Sequence, residues 1–212
     1  MQKRYILESE PQAPKPLRTI GFENSAASED KKPEVLEIIN NKIYFYAEIY
    51  RANTLKLNRA LTEMDSNHIT QALINDEDKY RSIYLHINSY GGGIFDGLSV
   101  MDQIKKTRSP VITVVDGIAA SAATFLSIVG SKRLIKKNSF MLIHELSSGM
   151  WGKYSEFVDE QTNLDKLMEI IKKIYLENTK ISKNKIDEIL KHDLYFDAKE
   201  SLKLGLVDSI LD

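Results

Sequence analysis

A lone serine, Ser121, stands among small residues in the stretch Gly117-Ile118-Ala119-Ala120-Ser121-Ala122-Ala123. Before it runs the β-branched segment Val111-Ile112-Thr113-Val114-Val115, and after it the apolar segment Thr124-Phe125-Leu126-Ser127-Ile128-Val129. The first reads as a buried strand and the second as a buried helix, which puts the hydroxyl at a sharp strand-to-helix turn. Small neighbours let a substrate approach closely, and a helix N-terminus sets free N–H groups and a positive dipole end beside it. A serine nucleophile needs this geometry. Taken alone, the stretch reads more readily as a small-residue helix packed against a neighbour, so other residues must decide.

Gly91-Gly92-Gly93 comes just after another β-type run, Ser82-Ile83-Tyr84-Leu85-His86-Ile87. Consecutive glycines free the backbone for positive φ and for close approach to a ligand. The loop could offer N–H groups to an oxyanion, or it could be a plain turn. Its spacing fits neither the dinucleotide nor the P-loop fingerprint, which argues against a nucleotide role.

The chain has four histidines, His68, His86, His144 and His192. His144 follows the strand-like Phe140-Met141-Leu142-Ile143, from which an imidazole can emerge into a cleft. No histidine pair has metal-ligand spacing, so zinc hydrolysis has no support and neither metal nor cofactor is expected. Asp193 lies in His192-Asp193-Leu194-Tyr195-Phe196, a place from which a carboxylate can orient an imidazole. Spacing alone does not single it out among 30 acidic residues.

The elements that must position these residues alternate in type. One or two strands are expected between Val35 and Ile49, and two helices over Thr54 to Ile74 with a break near Ser66-Asn67. A helix with Phe95, Leu98, Met101 and Ile104 on one face follows the glycine loop. Short strands are expected at Arg133 to Ile135 and at Phe140 to Ile143, then a long helix from Tyr154 to Tyr175. Two shorter helices close the chain, around Ile186 to Leu190 and from an Asp197 N-cap to Leu204. Strands alternating with helices specify an α/β domain with a mainly parallel sheet. Residues 1 to 33 are rich in Pro, Ser, Lys and Glu and read as a flexible arm ahead of a single domain over 34–212.

Composition bounds the rest. With 212 residues, 42% hydrophobic and 28% charged, the chain suits one globular domain with a sizeable core. A formal net charge of −1 gives no electrostatic case for nucleic acid or an anionic membrane. The absence of cysteine removes disulfides and thiolate chemistry, and fits an intracellular, cytoplasmic protein. Gly117 to Gly130, the longest uncharged stretch of the apolar middle, falls short of the roughly 20 apolar residues of a bilayer span.

Four motifs in order give the chain a resemblance to the ClpP family of self-compartmentalising serine peptidases, over about Ile43 to Leu211. Ile87-Asn88-Ser89-Tyr90-Gly91-Gly92 resembles the family's Ile-Asn-Ser-Pro-Gly-Gly loop, and Gly117-Ile118-Ala119-Ala120-Ser121 its nucleophile turn. Met141-Leu142-Ile143-His144, with Asn138-Ser139 just upstream, resembles the strand that ends in the catalytic histidine. The tail Gly205-Leu206-Val207-Asp208-Ser209-Ile210 resembles the family's C-terminal stretch and sets the register that selects Asp193.

The resemblance implies the ClpP/crotonase-like ββα spiral with a long handle helix, here Tyr154 to Tyr175. It implies Ser121 as nucleophile, His144 as base and Asp193 as the orienting acid of a serine endopeptidase. It further implies an oxyanion hole from the backbone N–H groups of Gly92 and Ala122, and extended peptides bound beside Gly91, Gly93 and Ile94. No cofactor is implied. The expected partners are peptide or unfolded-protein substrates and copies of the same chain, in a heptamer or two stacked heptamers.

Departures from the family pattern carry their own expectations. Tyr90 replaces the loop proline, and Ala122 replaces a usual methionine, which should widen the neighbouring pocket. His86, Lys106, Asp116 and Lys136 fall at usually apolar positions of the groove where an AAA+ unfoldase docks. A groove for aliphatic anchors should not carry buried charge, which argues against a conventional ATPase partner. Three rival readings differ in chemistry. A crotonase-type acyl-CoA enzyme would not require Ser121, His144 and Asp193 together, and a catalytically silent ring subunit would not need the triad. A Ser–Lys peptidase could draw its base from Lys132 or Lys136.

Overall fold

The computed structural model describes residues 36–212; the expected arm at 1–33 lies outside them. The chain enters through an antiparallel hairpin, β1 (Leu36–Ile39) and β2 (Lys42–Phe45). Asn40, with φ 56°, makes its turn in a left-handed conformation that asparagine tolerates. Helix α1 (Arg51–Asn75), strand β3 (Ile83–Ser89), helix α2 (Ile94–Lys106), strand β4 (Val111–Ala120) and helix α3 (Ala123–Ile128) follow. Strands β5 (Lys132–Lys136) and β6 (Phe140–Ile143) lead to the long helix α4 (Tyr154–Asn178). The chain ends with α5 (Lys183–Ile189), β7 (Leu194–Phe196), α6 (Ala198–Lys203) and β8 (Ser209–Leu211).

The strands form an eight-stranded sheet in the order β1-β2-β3-β4-β5-β8, with β6 paired to β4 and β7 to β6. Pairs β2–β3, β3–β4, β4–β5, β4–β6 and β5–β8 are parallel, as the alternation of strands and helices predicts. Ile83, Leu85 and Ile87 point inward from β3, and Leu57 and Leu61 of α1 and Val100 of α2 lie fully buried with them in one core.

Strand β4 positions the site. It runs on to Ala120, five residues past the predicted end at Val115. Its first half pairs with β5, and Ile118 to Ala120 pair instead with β6. Gly117, at φ 102°, makes the bend that lets one strand serve two partners. Its N–H donates to Ser139 Oγ at 2.7 Å, and a Cβ there would meet the Asn88 side chain at 3.0 Å. The sequence pattern under-reads this strand because a glycine bend breaks the apolar run without breaking the ladder.

One further expectation needs correcting. The break at Ser66-Asn67 is absent, and α1 is continuous for 25 residues. Its buried stripe, Leu57, Leu61, Met64, His68 and Ala72, passes straight through, while Ser66 and Asn67 lie on the exposed side at small propensity cost. Strands β7 and β8, three residues each, are too short to leave a periodic signal in the sequence. The Asp197 cap is present: its carboxylate accepts the Glu200 N–H at 2.8 Å in a capping box.

Candidate active site

Ser121 sits between β4 and α3 with φ 54°, one of three non-glycine residues among those described with positive φ. A left-handed conformation costs an L-residue about 1–2 kcal/mol, so the surroundings must hold it. The Ser121 N–H donates to Leu142 O at 2.9 Å, and its carbonyl accepts from the Thr124 N–H at 2.9 Å and from Thr124 Oγ1 at 2.6 Å. The glycine loop presses against the same turn. A Cβ on Gly91 (φ 97°) would fall 2.6 Å from Ala120 O and 2.7 Å from Ser121 Cβ. Gly97 in α2 leaves room for Ala122, whose Cβ would lie 3.1 Å from a side chain there.

The loop is stitched to the segment ahead of α1. Ile49 donates to Gly91 O at 2.7 Å, and the Gly93 N–H donates to Ile49 O at 2.7 Å. Ser89 Oγ accepts the Gly91 N–H, and Gly93 O accepts the Gly97 N–H. Gly92 and Ala122 differ: neither N–H takes part in the backbone hydrogen bonds of these turns. Among the described residues, then, two donors without a backbone partner flank Ser121, which is the raw material of an oxyanion hole.

His144 arrives by strand register. Strands β6 and β7 pair antiparallel with Ile143 opposite Leu194, so the next step along each chain sets His144 opposite Asp193. His144 Nδ1 lies 3.6 Å from Asp193 Oδ1, an ion-pair distance rather than a hydrogen bond. Asp193 is 77% exposed and His144 25%. Nδ1 is thus the ring nitrogen near the carboxylate, and the Ser121 hydroxyl and His144 are not hydrogen-bonded to each other.

Ser121, Ala122, His144, Gly92, Gly93 and Ile94 all line one cavity of about 400 Å³, and Gly91 lies buried behind it. Phe125, Leu146, Ile171 and Tyr175 supply its apolar wall. These were legible in the sequence only as core, because i, i+4 spacing on α4 marks Ile171 and Tyr175 as buried and not as facing a ligand. Tyr175 is fully buried with its hydroxyl 2.5 Å from Thr124 Oγ1, and burial pushes its phenol above the ordinary range. Neither Lys132 nor Lys136 lines the cavity. No group of three or more metal-ligating side chains occurs among the described residues.

The sequence model described as Clp protease matches residues 39–212. The chain belongs to the Clp protease family. It is 32% identical over 169 residues to an ATP-dependent Clp protease proteolytic subunit of Ostreococcus tauri, covering 78% of this chain and 84% of that one. A proteolytic subunit 2 of Synechococcus sp. (strain CC9605) is 30% identical over 79% of this chain and 87% of its own. A Bigelowiella natans subunit is 29% identical over 87% and 93%. Membership makes the chain a serine-type peptidase on an α/β Clp fold.

Within this Clp protease, three of the four unusual polar residues meet on one face of the sheet. Asp116 accepts from Tyr46 Oη at 2.6 Å and from Lys136 Nζ at 2.6 Å, and lies 3.4 Å from His86 Nδ1. Tyr44 stacks on His86 with ring centroids 4.6 Å apart. Burial works to raise the Asp116 pKa, but hydrogen bonds from Lys136 and Tyr46 and the Lys136 charge outweigh it and hold the carboxyl below its ordinary value. Burial lowers the His86 pKa despite the attraction of Asp116. Lys106, the last residue of α2, takes no part in this cluster. No helix among the described residues is long and apolar enough to cross a membrane.

Proposed function

We propose that Ser121, His144 and Asp193 form a catalytic triad that cleaves unfolded polypeptides or short peptides inside a ring-shaped chamber. One observation carries the reading: a strained Ser121, two unspent N–H donors and His144 converge on a single apolar-walled cavity. The peptidase domain runs over 34–212, a span supported by the family match over 39–212.

In the reaction, Ser121 Oγ attacks the peptide carbonyl carbon while His144 Nε2 takes the hydroxyl proton. The oxyanion of the tetrahedral intermediate accepts from the Gly92 and Ala122 N–H groups, each donor being worth about 10²–10³ in rate. The C–N bond then breaks as the imidazolium passes its proton to the leaving amine. Water, deprotonated by His144, releases the acyl group from Ser121. Asp193 holds the ring tautomer and offsets the charge on the imidazolium. With Ala122 beside the serine and Phe125, Ile171 and Tyr175 around it, the cavity suits an apolar side chain of the substrate.

The ring is supported by exposed apolar residues just before and in the first turns of the long helix, Trp151 at 97% and Tyr154 at 86% exposed, with Phe157 and Val158 about half exposed. Such a surface is expected at a contact between copies. The Asp116 cluster argues against an unfoldase that docks by an aliphatic anchor on that face, because an inserted apolar side chain would strip water from an ion pair. A cysteine-free chain fits a reducing compartment such as the cytoplasm.

A second reading is favoured by the unpaired Ser121–His144 couple and by the long, exposed His144–Asp193 contact: a catalytically silent ring subunit. A fluorophosphonate probe separates the two. Mass addition on the assembled protein, lost in Ser121→Ala, is the expected result. An assembled, folded sample that takes up no probe overturns the peptidase proposal in favour of the silent subunit.

A further inference from the structure

The buried residues of α4 are Ile171, Ile174 and Tyr175. A phenylalanine would pack in the third place equally well, so the phenol hydroxyl needs a reason of its own. Burying a hydroxyl costs free energy unless it is hydrogen-bonded. Tyr175 is 1% exposed and Thr124, its partner, is fully buried. The tyrosine ring stays against Phe125, with centroids 6.0 Å apart, while its hydroxyl turns to Thr124 Oγ1 at 2.5 Å.

Proton counting gives this pair a direction. A threonine hydroxyl has one proton, and Thr124 Oγ1 donates it to Ser121 O at 2.6 Å. In the contact between the two side chains, Tyr175 Oη is therefore the donor. Burial raises the Tyr175 phenol pKa, so the hydroxyl keeps the proton that it donates. The bonds run from Tyr175 Oη to Thr124 Oγ1 to Ser121 O, each polarising the next.

The carbonyl at the end of this chain shares a planar peptide unit with the Ala122 N–H, and in a trans unit the two groups point opposite ways. Holding Ser121 O against Thr124 thus sets the direction of the Ala122 N–H, on a residue that lines the cavity. The other donor to Ser121 O, at 2.9 Å, is the Thr124 N–H, so one residue controls this end of the unit. Ser121 needs the hold, because at φ 54° it relaxes unless its surroundings restrain it.

We infer that Tyr175 and Thr124 are positioning residues of the peptidase, which fix the peptide unit between Ser121 and Ala122 and so aim the Ala122 N–H at the oxyanion. The inference rests on the proposed roles of Ser121 and Ala122. It gives the last turns of α4 a task in the reaction besides walling the cavity.

Tyr175→Phe keeps the ring in the wall and removes only the hydroxyl. In the assembled protein KM for a fluorogenic peptide should stay within about twofold. The kcat should fall about fivefold, the rate equivalent of one neutral hydrogen bond. Thr124→Val, close to the same shape, should cost at least as much. The double variant should lose no more than Thr124→Val alone, because the two groups act in series. A tyrosine that served only the fold would lower Tm and leave kcat unchanged, and that result overturns the inference. Losses that multiply in the double variant overturn it too. Hydrogen exchange of the 119–125 segment, read by mass spectrometry, is the measurement that needs no activity; it should quicken in Tyr175→Phe. If the wild-type protein neither cleaves peptide nor takes up a fluorophosphonate, the triad proposal falls, and exchange still decides the hold on the turn. Faster exchange in the variant supports that hold, and unchanged exchange overturns it.

Discussion

Replacing Asp193 by alanine should lower peptide turnover about tenfold, far less than the loss from Ser121→Ala. The carboxylate lies 3.6 Å from His144 Nδ1 and is 77% exposed, so water screens its attraction for the imidazolium of the transition state. Unit charges at that separation in water attract by about 1.2 kcal/mol, roughly a sevenfold rate factor at 1.4 kcal/mol per decade. Enclosed at an effective dielectric near 20, the same pair would be worth about 4.6 kcal/mol and a factor of roughly 2,000. Alanine is the right replacement, since asparagine would add a donor and force the wrong imidazole tautomer. The assay is kcat/KM on a fluorogenic peptide, with oligomeric mass measured for both proteins. A loss above about a thousandfold at unchanged mass refutes the screened geometry and means that the active assembly encloses Asp193. No loss at all refutes its orienting role.

Gly91→Ala should cut kcat by about a hundredfold or more, because its Cβ can be housed only by displacing Ala120 or Ser121, and misplacement by about 1 Å costs that much; probe labelling as fast as wild type would sink the argument. His86 has a pKa lowered in the folded state by burial, so as pH falls below its unfolded value of about 6.5 the unfolded chain binds the proton first and stability drops. Urea midpoints at pH 7.5 and 5.5 should therefore differ less in His86→Gln than in wild type. Arg133 donates to Asp208, to Asn178 O and to Gly205 O, tying β8 and the end of α4 to β5. Arg133→Ala should destabilise by about 3 kcal/mol, lowering Tm by about 6–12 °C, and a Tm within 2 °C of wild type would show that these bonds are replaced by water at no cost.

Much of the site is legible along the chain because its parts are local. A β-branched run, a patch of small residues and an apolar helix specify the turn that carries Ser121, and a glycine triplet after a strand specifies the loop beside it. In α1, Ser66 and Asn67 look like a break when propensity is weighed without the buried stripe that passes beneath them. The pattern of β4 stops at Val115 because the glycine bend ends the apolar run and not the strand. The pairing of Asp193 with His144 could not be read from spacing at all: it needed either the family resemblance or the ladder between β6 and β7.

By itself, then, the sequence determined the types of the longer elements, the mainly parallel sheet and the chemical identities available for acyl transfer, since each follows from periodicity and side-chain chemistry within a few residues. Tertiary structure alone decided which groups meet. It set Ser121 at positive φ against the glycine loop, left the N–H groups of Gly92 and Ala122 without a backbone partner among the described residues, and gathered Tyr46, His86 and Lys136 around Asp116. Those outcomes depend on strand register and helix packing between segments tens of residues apart, and such contacts leave no periodic trace in the chain that makes them.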